Sequence, residues 1–154
     1  MTLPNKDSHS GCILRRLLVV FSLCLPMALN GNLLEMPLEE ALDQARSETK
    51  LLYVTFIGED WSVSSKRFVE GILESEAFAS FAETELIYFP VIARRKPALT
   101  KEETAQLQAL VIHFDIKSYP TVIILAPDGQ ELLRHGFKDI SAEDYVTLLR
   151  AALP

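Results

Sequence analysis

The segment Trp61-Ser62-Val63-Ser64-Ser65-Lys66 gathers an indole, three hydroxyls and an ammonium where an apolar strand gives way to a helix. A serine placed there can be a nucleophile if a general base reaches it. It can also be an N-cap, its oxygen accepting a free amide of the first helical turn. For Ser62 the N-cap is the better-supported reading. No Gly-x-Ser-x-Gly elbow surrounds it. Beyond the first thirty-odd residues the only histidines are His113, expected to end a helix, and His135, expected on a hairpin strand. Ser118-Tyr119-Pro120-Thr121 forms a second cluster just before another strand, where a proline turn is expected. Trp61 fits a packing role beside the loop and a contact role equally well. No Cys, His and carboxylate cluster has ligand spacing, so no metal site is assigned, and no cofactor signal stands out.

Both cysteines, Cys12 and Cys24, fall in a leader-like start. Lys6, Arg15 and Arg16 precede an apolar run from Leu17 to Leu29 that ends in Asn30-Gly31-Asn32, the order of a secretory signal. That run falls short of the ~20 residues that cross a bilayer, and Pro26 weakens an anchor further. A lipoprotein signal is weaker still, since Cys24 follows Leu23 rather than a small residue. Residues 1–31 therefore read as a signal peptide, with a periplasmic or secreted destination and no stable membrane span after cleavage. Removing Lys6, Arg15, Arg16 and Asp7 leaves twelve basic and twenty acidic residues, a net charge of −8, and no thiol. Such a surface repels phosphate backbones, and no basic stripe interleaved with aromatics appears, so nucleic-acid binding is excluded.

With 49% hydrophobic and 23% charged residues in 154, one domain with a real core is expected. Leu38, Ala41, Leu42 and Ala45 recur at helical spacing and predict a helix from Pro37 to about Thr49. Leu51–Ile57 is a continuous apolar run closed by Gly58, as expected of a central strand buried on both faces. Ser62 to about Phe81 reads as a helix, a break with Gly71 and Ser75 as the interruptions, and a second short helix. Leu86–Ala93 is a strand in which Pro90 predicts an edge or a bulge. Residues 94–103 form a charged surface loop, and Glu102–His113 a helix with Leu107, Leu110, Val111 and Phe114 on one side. Thr121–Ala126, the turn Pro127-Asp128-Gly129-Gln130 and Glu131–Phe137 make a hairpin. A last helix starts at the capping-box-like Ser141-Ala142-Glu143-Asp144. The order α, β, α, α, β, α, β, β, α predicts a three-layer α/β domain with a mixed sheet.

That order resembles the thioredoxin fold from about residue 37 onward, giving a thioredoxin-like domain at 32–154 behind the signal peptide. Three markers carry the resemblance. Trp61-Ser62-Val63-Ser64-Ser65-Lys66 stands where the family has Trp-Cys-x-x-Cys-Lys, Tyr119-Pro120-Thr121 matches its substrate-facing cis-proline loop, and the Pro127-Asp128-Gly129 hairpin leads to Gly136-Phe137 and the last helix. With Gly58-Glu59-Asp60-Trp61 leading in, the chain is similar to exported disulfide reductase and isomerase domains of the DsbH and DsbD carboxy-terminal kind. The resemblance implies an attacking thiolate at position 62 and a resolving thiol at 65, and both are serine. A hydroxyl is hardly ionised near neutral pH and forms no mixed disulfide. Aligned to the family, Thr55 takes the place of its buried carboxylate. The resulting expectation is a redox-inactive, non-enzymatic protein that binds an exported polypeptide or an envelope protein partner, its peptide backbone lying against Tyr119-Pro120. A thiol-disulfide oxidoreductase or isomerase is the alternative if cysteine codons stand at 62 and 65 in the native gene. A structural docking subunit of the cell envelope is another.

Overall fold

The computed structural model describes residues 36–152. The expected signal peptide, both cysteines and the first residues of the expected domain lie outside the described residues. No helix among the described residues is long and apolar enough to cross a membrane.

Pro37 opens α1 (Leu38–Glu48), and Thr49 closes it in the left-handed region with φ 55, its amide returning to Ala45 and Arg46 carbonyls. β1 (Leu51–Gly58) is buried along its whole length. After it come α2 (Val63–Phe68), a π-helical turn at Val69–Leu73, and α3 (Glu76–Glu85). Gly71 does not break the helix as expected. It lies inside the π turn, and the break falls at Ser75, whose hydroxyl caps α3 by accepting the Phe78 amide. β2 (Leu86–Ala93) follows, then α4 (Lys101–His113), β3 (Thr121–Leu125), β4 (Glu131–Gly136) and α5 (Ala142–Ala152). α4 begins one residue before the expected Glu102, because Thr100 and Glu103 form a reciprocal capping box.

The sheet has strand order β2-β1-β3-β4, with β1 and β2 parallel and the other two pairings antiparallel. Pro90 therefore sits on an edge strand, where its missing N–H costs nothing, and the β1–β2 register runs past it without a shift. The irregularity lies instead between Ile124 and Leu125 in the hairpin. Its turn is closed by Gly129 at φ 91 and by the Asp128 carboxylate, which accepts the Gln130 amide.

Alternate residues of β1 feed two cores. Leu52, Val54 and Phe56 pack with Ala41 and Ala45 of α1 and with Phe114, against which the apolar side of α4 (Leu107, Leu110, Val111) also rests. Tyr53 and Ile57 pack on the other face with Phe68, Ile72, Phe78, Phe81, Tyr145 and Leu149. Helices thus cover both faces of a mixed sheet, the three-layer α/β arrangement expected. Its register also builds the site. Antiparallel pairing of Phe56 with Thr121 brings the start of β3 to the end of β1, and parallel pairing of Gly58 with Ala93 brings the end of β2 there too.

Candidate functional site

Three chain segments meet at that end of the sheet. Ser62 is the N-cap of α2, its Oγ accepting the Ser65 amide at 3.1 Å and donating to the Tyr119 carbonyl at 3.3 Å. The hydroxyl so joins the two segments singled out in the sequence. Ser65 is fully buried, and its Oγ accepts the Gly58 amide at 3.0 Å. Val63 is 76% exposed, Ser64 is half-buried, and Lys66 faces solvent with Glu70 at 3.7 Å. The Tyr119–Pro120 bond is cis. Tyr119 is half-buried, Pro120 buried, and Thr121 buried with its hydroxyl donating to the Ser118 carbonyl at 2.7 Å.

Trp61 packs beside the loop and stays partly exposed. Its Nε1 donates to the Ala93 carbonyl at 3.2 Å and its ring meets Tyr119 edge-on at 5.1 Å, yet 38% of it stays exposed. Gly58 permits this pose. A Cβ there would stand 2.7 Å from Trp61 Cζ2 and 2.8 Å from Ser62 Cβ. Arg95 closes the rim, with its guanidinium 5.2 Å above the indole and its amide donating to Asp60 Oδ1. The roles of Gly58 and Arg95 were not visible in the sequence. Gly58 read as a strand stop and Arg95 as one charge in a loop.

Beneath the site the resemblance places the family's carboxylate at Thr55. Thr55 is fully buried and its hydroxyl donates to Tyr88 Oη at 3.3 Å, so this position carries no charge. On the same side of the sheet a polar line runs through the core. Tyr53 and Tyr145 hydroxyls lie 2.6 Å apart, and Tyr145 Oη stands 3.0 Å from His135 Nε2. The direction of the line follows from its end. His135 Nδ1 is 2.7 Å from the Gly136 carbonyl, which can only accept, so Nδ1 carries the proton and Nε2 takes one from Tyr145. Tyr145 in turn accepts from Tyr53. Burial pushes both phenols well above their ordinary range, so they are neutral donors. His113 ends α4 and packs edge-on to Phe114, and His135 lies on β4, as expected of both. Neither histidine hydrogen-bonds Ser62, and among the described residues no group of three or more His, Cys, Asp or Glu could hold a metal ion.

Desolvation lowers the pKa of His135, partly offset by its bond to Gly136 and reinforced by Lys138. In the unfolded chain this ring titrates near its ordinary ~6.5. Below that pH the unfolded chain binds more protons, so stability falls as pH drops through the window and levels off under the folded-state pKa. The urea midpoint should thus decline from about pH 7 towards about pH 5, and His135→Gln should flatten that decline. Parallel slopes for the two proteins would remove His135 as the cause.

A family model described as a thioredoxin-like domain matches residues 38–153. Among known proteins, the disulfide bond reductase DsbH of Chlamydia pneumoniae is 26% identical over 114 residues, 74% of this chain and 69% of that protein. Among solved structures, a DsbH oxidoreductase superposes with a TM-score of 0.71 at 26% identity, over 80% of this chain and 85% of that one. The reduced C-terminal domain of Neisseria meningitidis DsbD superposes with a TM-score of 0.58 at 19% identity, over 75% and 94%, a likeness of fold alone.

Proposed function

The chain belongs to the thioredoxin-like domain family, and on that premise we propose that it is an exported, redox-inactive member that binds an extended polypeptide segment at the face formed by Trp61, Ser62, Val63, Tyr119 and Pro120. One observation carries this reading. The two positions where the resemblance places thiols hold hydroxyls engaged in the fold, Ser62 between the Ser65 amide and the Tyr119 carbonyl, Ser65 under the Gly58 amide. The rest of the face persists without sulfur: an exposed indole against Tyr119 of the loop before β3, and an exposed valine next to Ser62 in the chain. The reductase activity in the name of DsbH would need thiols at 62 and 65, because a serine hydroxyl neither ionises usefully near neutral pH nor forms a disulfide. Export rests on the signal-like start of residues 1–31.

Trp61 is the only tryptophan of the chain, so its emission reports on this face directly. Titration with a reduced, alkylated and unfolded polypeptide should change that emission saturably, with a dissociation constant on the order of 1–50 µM. An emission unmoved up to millimolar peptide would sink the reading. If a folded envelope protein were then captured through the same face, the docking-subunit alternative would replace it.

A further inference from the structure

The rim beside Trp61 carries a charge with no carboxylate partner among the described residues. Arg46, Arg67, Arg94 and Arg134 each hold a carboxylate within ion-pair distance. Arg95 does not. Its amide donates to Asp60 Oδ1 at 2.8 Å, which ties the turn after β2 to the turn after β1, but among the described residues its guanidinium has only the Trp61 ring as a partner. Arg95 and the following Lys96 are both exposed, on a chain whose formal net charge is −6. The turn after β1 brings two exposed carboxylates, Glu59 and Asp60, to the same rim, so the rim carries both signs, and Arg95 is the cation set against Trp61.

Geometry gives this charge a direction. The Arg95 guanidinium stands 5.2 Å from the Trp61 centroid, Trp61 stands 5.1 Å from the Tyr119 centroid, and Pro120 follows Tyr119. Guanidinium, indole and phenol are thus neighbours in turn, the last of them in the loop before β3. An extended chain advances ~3.3 Å per residue, so two to four residues cover that succession of contacts. A guanidinium stacked on an indole keeps its N–H edge free, and that edge fits a carboxylate fork. Stacking also holds the side chain in place, so less rotamer freedom is lost on binding.

We propose that the Arg95–Trp61 rim selects extended polypeptide segments carrying a Glu or Asp two to four residues from the residue seated against Pro120, with an apolar side chain beside Trp61. The proposal rests on the polypeptide-binding reading above and names the class of segment that site takes. Charge complementarity is its basis. An acidic side chain meets there a cation with no carboxylate partner among the described residues, and a basic one meets repulsion from Arg95.

Calorimetric titration of the protein with three peptides, identical except for Glu, Gln or Lys at one position, tests it. The Glu peptide should bind about fivefold more tightly than the Lys peptide at low ionic strength, with the Gln peptide between. The ratio should fall towards one at about 0.5 M salt. Arg95→Ala should abolish the ratio, Arg95→Lys should keep part of it, and Arg95→Glu should reverse it. Equal affinities for the Glu and Lys peptides, or a preference that survives Arg95→Ala, would overturn the inference while leaving polypeptide binding intact. If none of the three peptides binds, the polypeptide-binding reading fails and the inference falls with it.

Discussion

Ser62→Cys combined with Ser65→Cys should turn a chain silent in dithiothreitol-driven insulin reduction into one that accelerates it on the order of tenfold or more above background. Position 62 is partly exposed, and the Ser65 amide aimed at its side chain would stabilise a thiolate there. That thiolate attacks an insulin disulfide to give a mixed disulfide. A thiol at position 65 then displaces the reduced insulin sulfur and closes an intramolecular disulfide, which dithiothreitol reduces again. Each single variant should fail for its own reason. Ser62→Cys alone has no internal resolving thiol, so its mixed disulfide waits on dithiothreitol and gains little over the uncatalysed reaction. Ser65→Cys alone places its sulfur at a fully buried position that a protein substrate does not reach. The double variant should still be slower than a relative with a carboxylate beneath the site, since Thr55 offers only a hydroxyl already bonded to Tyr88. Acceleration by the unaltered chain would refute redox inactivity. A silent double variant would show that more than the two sulfurs separates this site from a working one.

Gly58→Ala should cost about 1–3 kcal/mol of stability, the usual range for overpacking, and should dislodge Trp61. The added methyl meets the indole at 2.7–2.8 Å and Ser62 Cβ at 2.8 Å. Neither neighbour yields cheaply. The indole is tied to the Ala93 carbonyl, wedged against Tyr119 and covered by Arg95, and Ser62 Cβ stands next to the backbone of the N-cap. If the ring swings out, its Nε1 bond and both ring contacts are lost together. Its emission should shift to the red and become easier for iodide to quench. A urea midpoint and an emission spectrum both matching the parent protein would show that the end of β1 relaxes more readily than this packing implies.

Much of the fold was legible because it follows from local rules. A short run rich in β-branched and aromatic residues and bounded by Gly58 is what a doubly covered strand needs, and β1 is buried at every position. Pro90 removed an amide, which left an edge or a bulge, and pairing partners from another part of the chain selected the edge. Gly71 looked like a break and instead lies inside the π turn Val69–Leu73, with nothing within 4 Å of a Cβ built there. The Thr100-to-Glu103 capping box was readable in principle. The proline-containing charged run before it drew the helix start to Glu102 instead.

The site divides in the same way. Two serines at the thiol positions, the tyrosine-proline pair before a strand and the helix that Ser62 caps were all present in the order of residues, since each depends on neighbours within a few positions. Tertiary structure alone decided what these groups touch. The Ser62 bond to Tyr119 spans 57 positions, the Trp61 bond to Ala93 spans 32, and the Tyr53 bond to Tyr145 spans 92. Such contacts arise from strand register and from close packing over Gly58, and neither is encoded by a spacing along the chain. The stacking of Arg95 on Trp61 is of that kind, because it exists only once parallel pairing of Gly58 with Ala93 has brought the ends of β1 and β2 side by side.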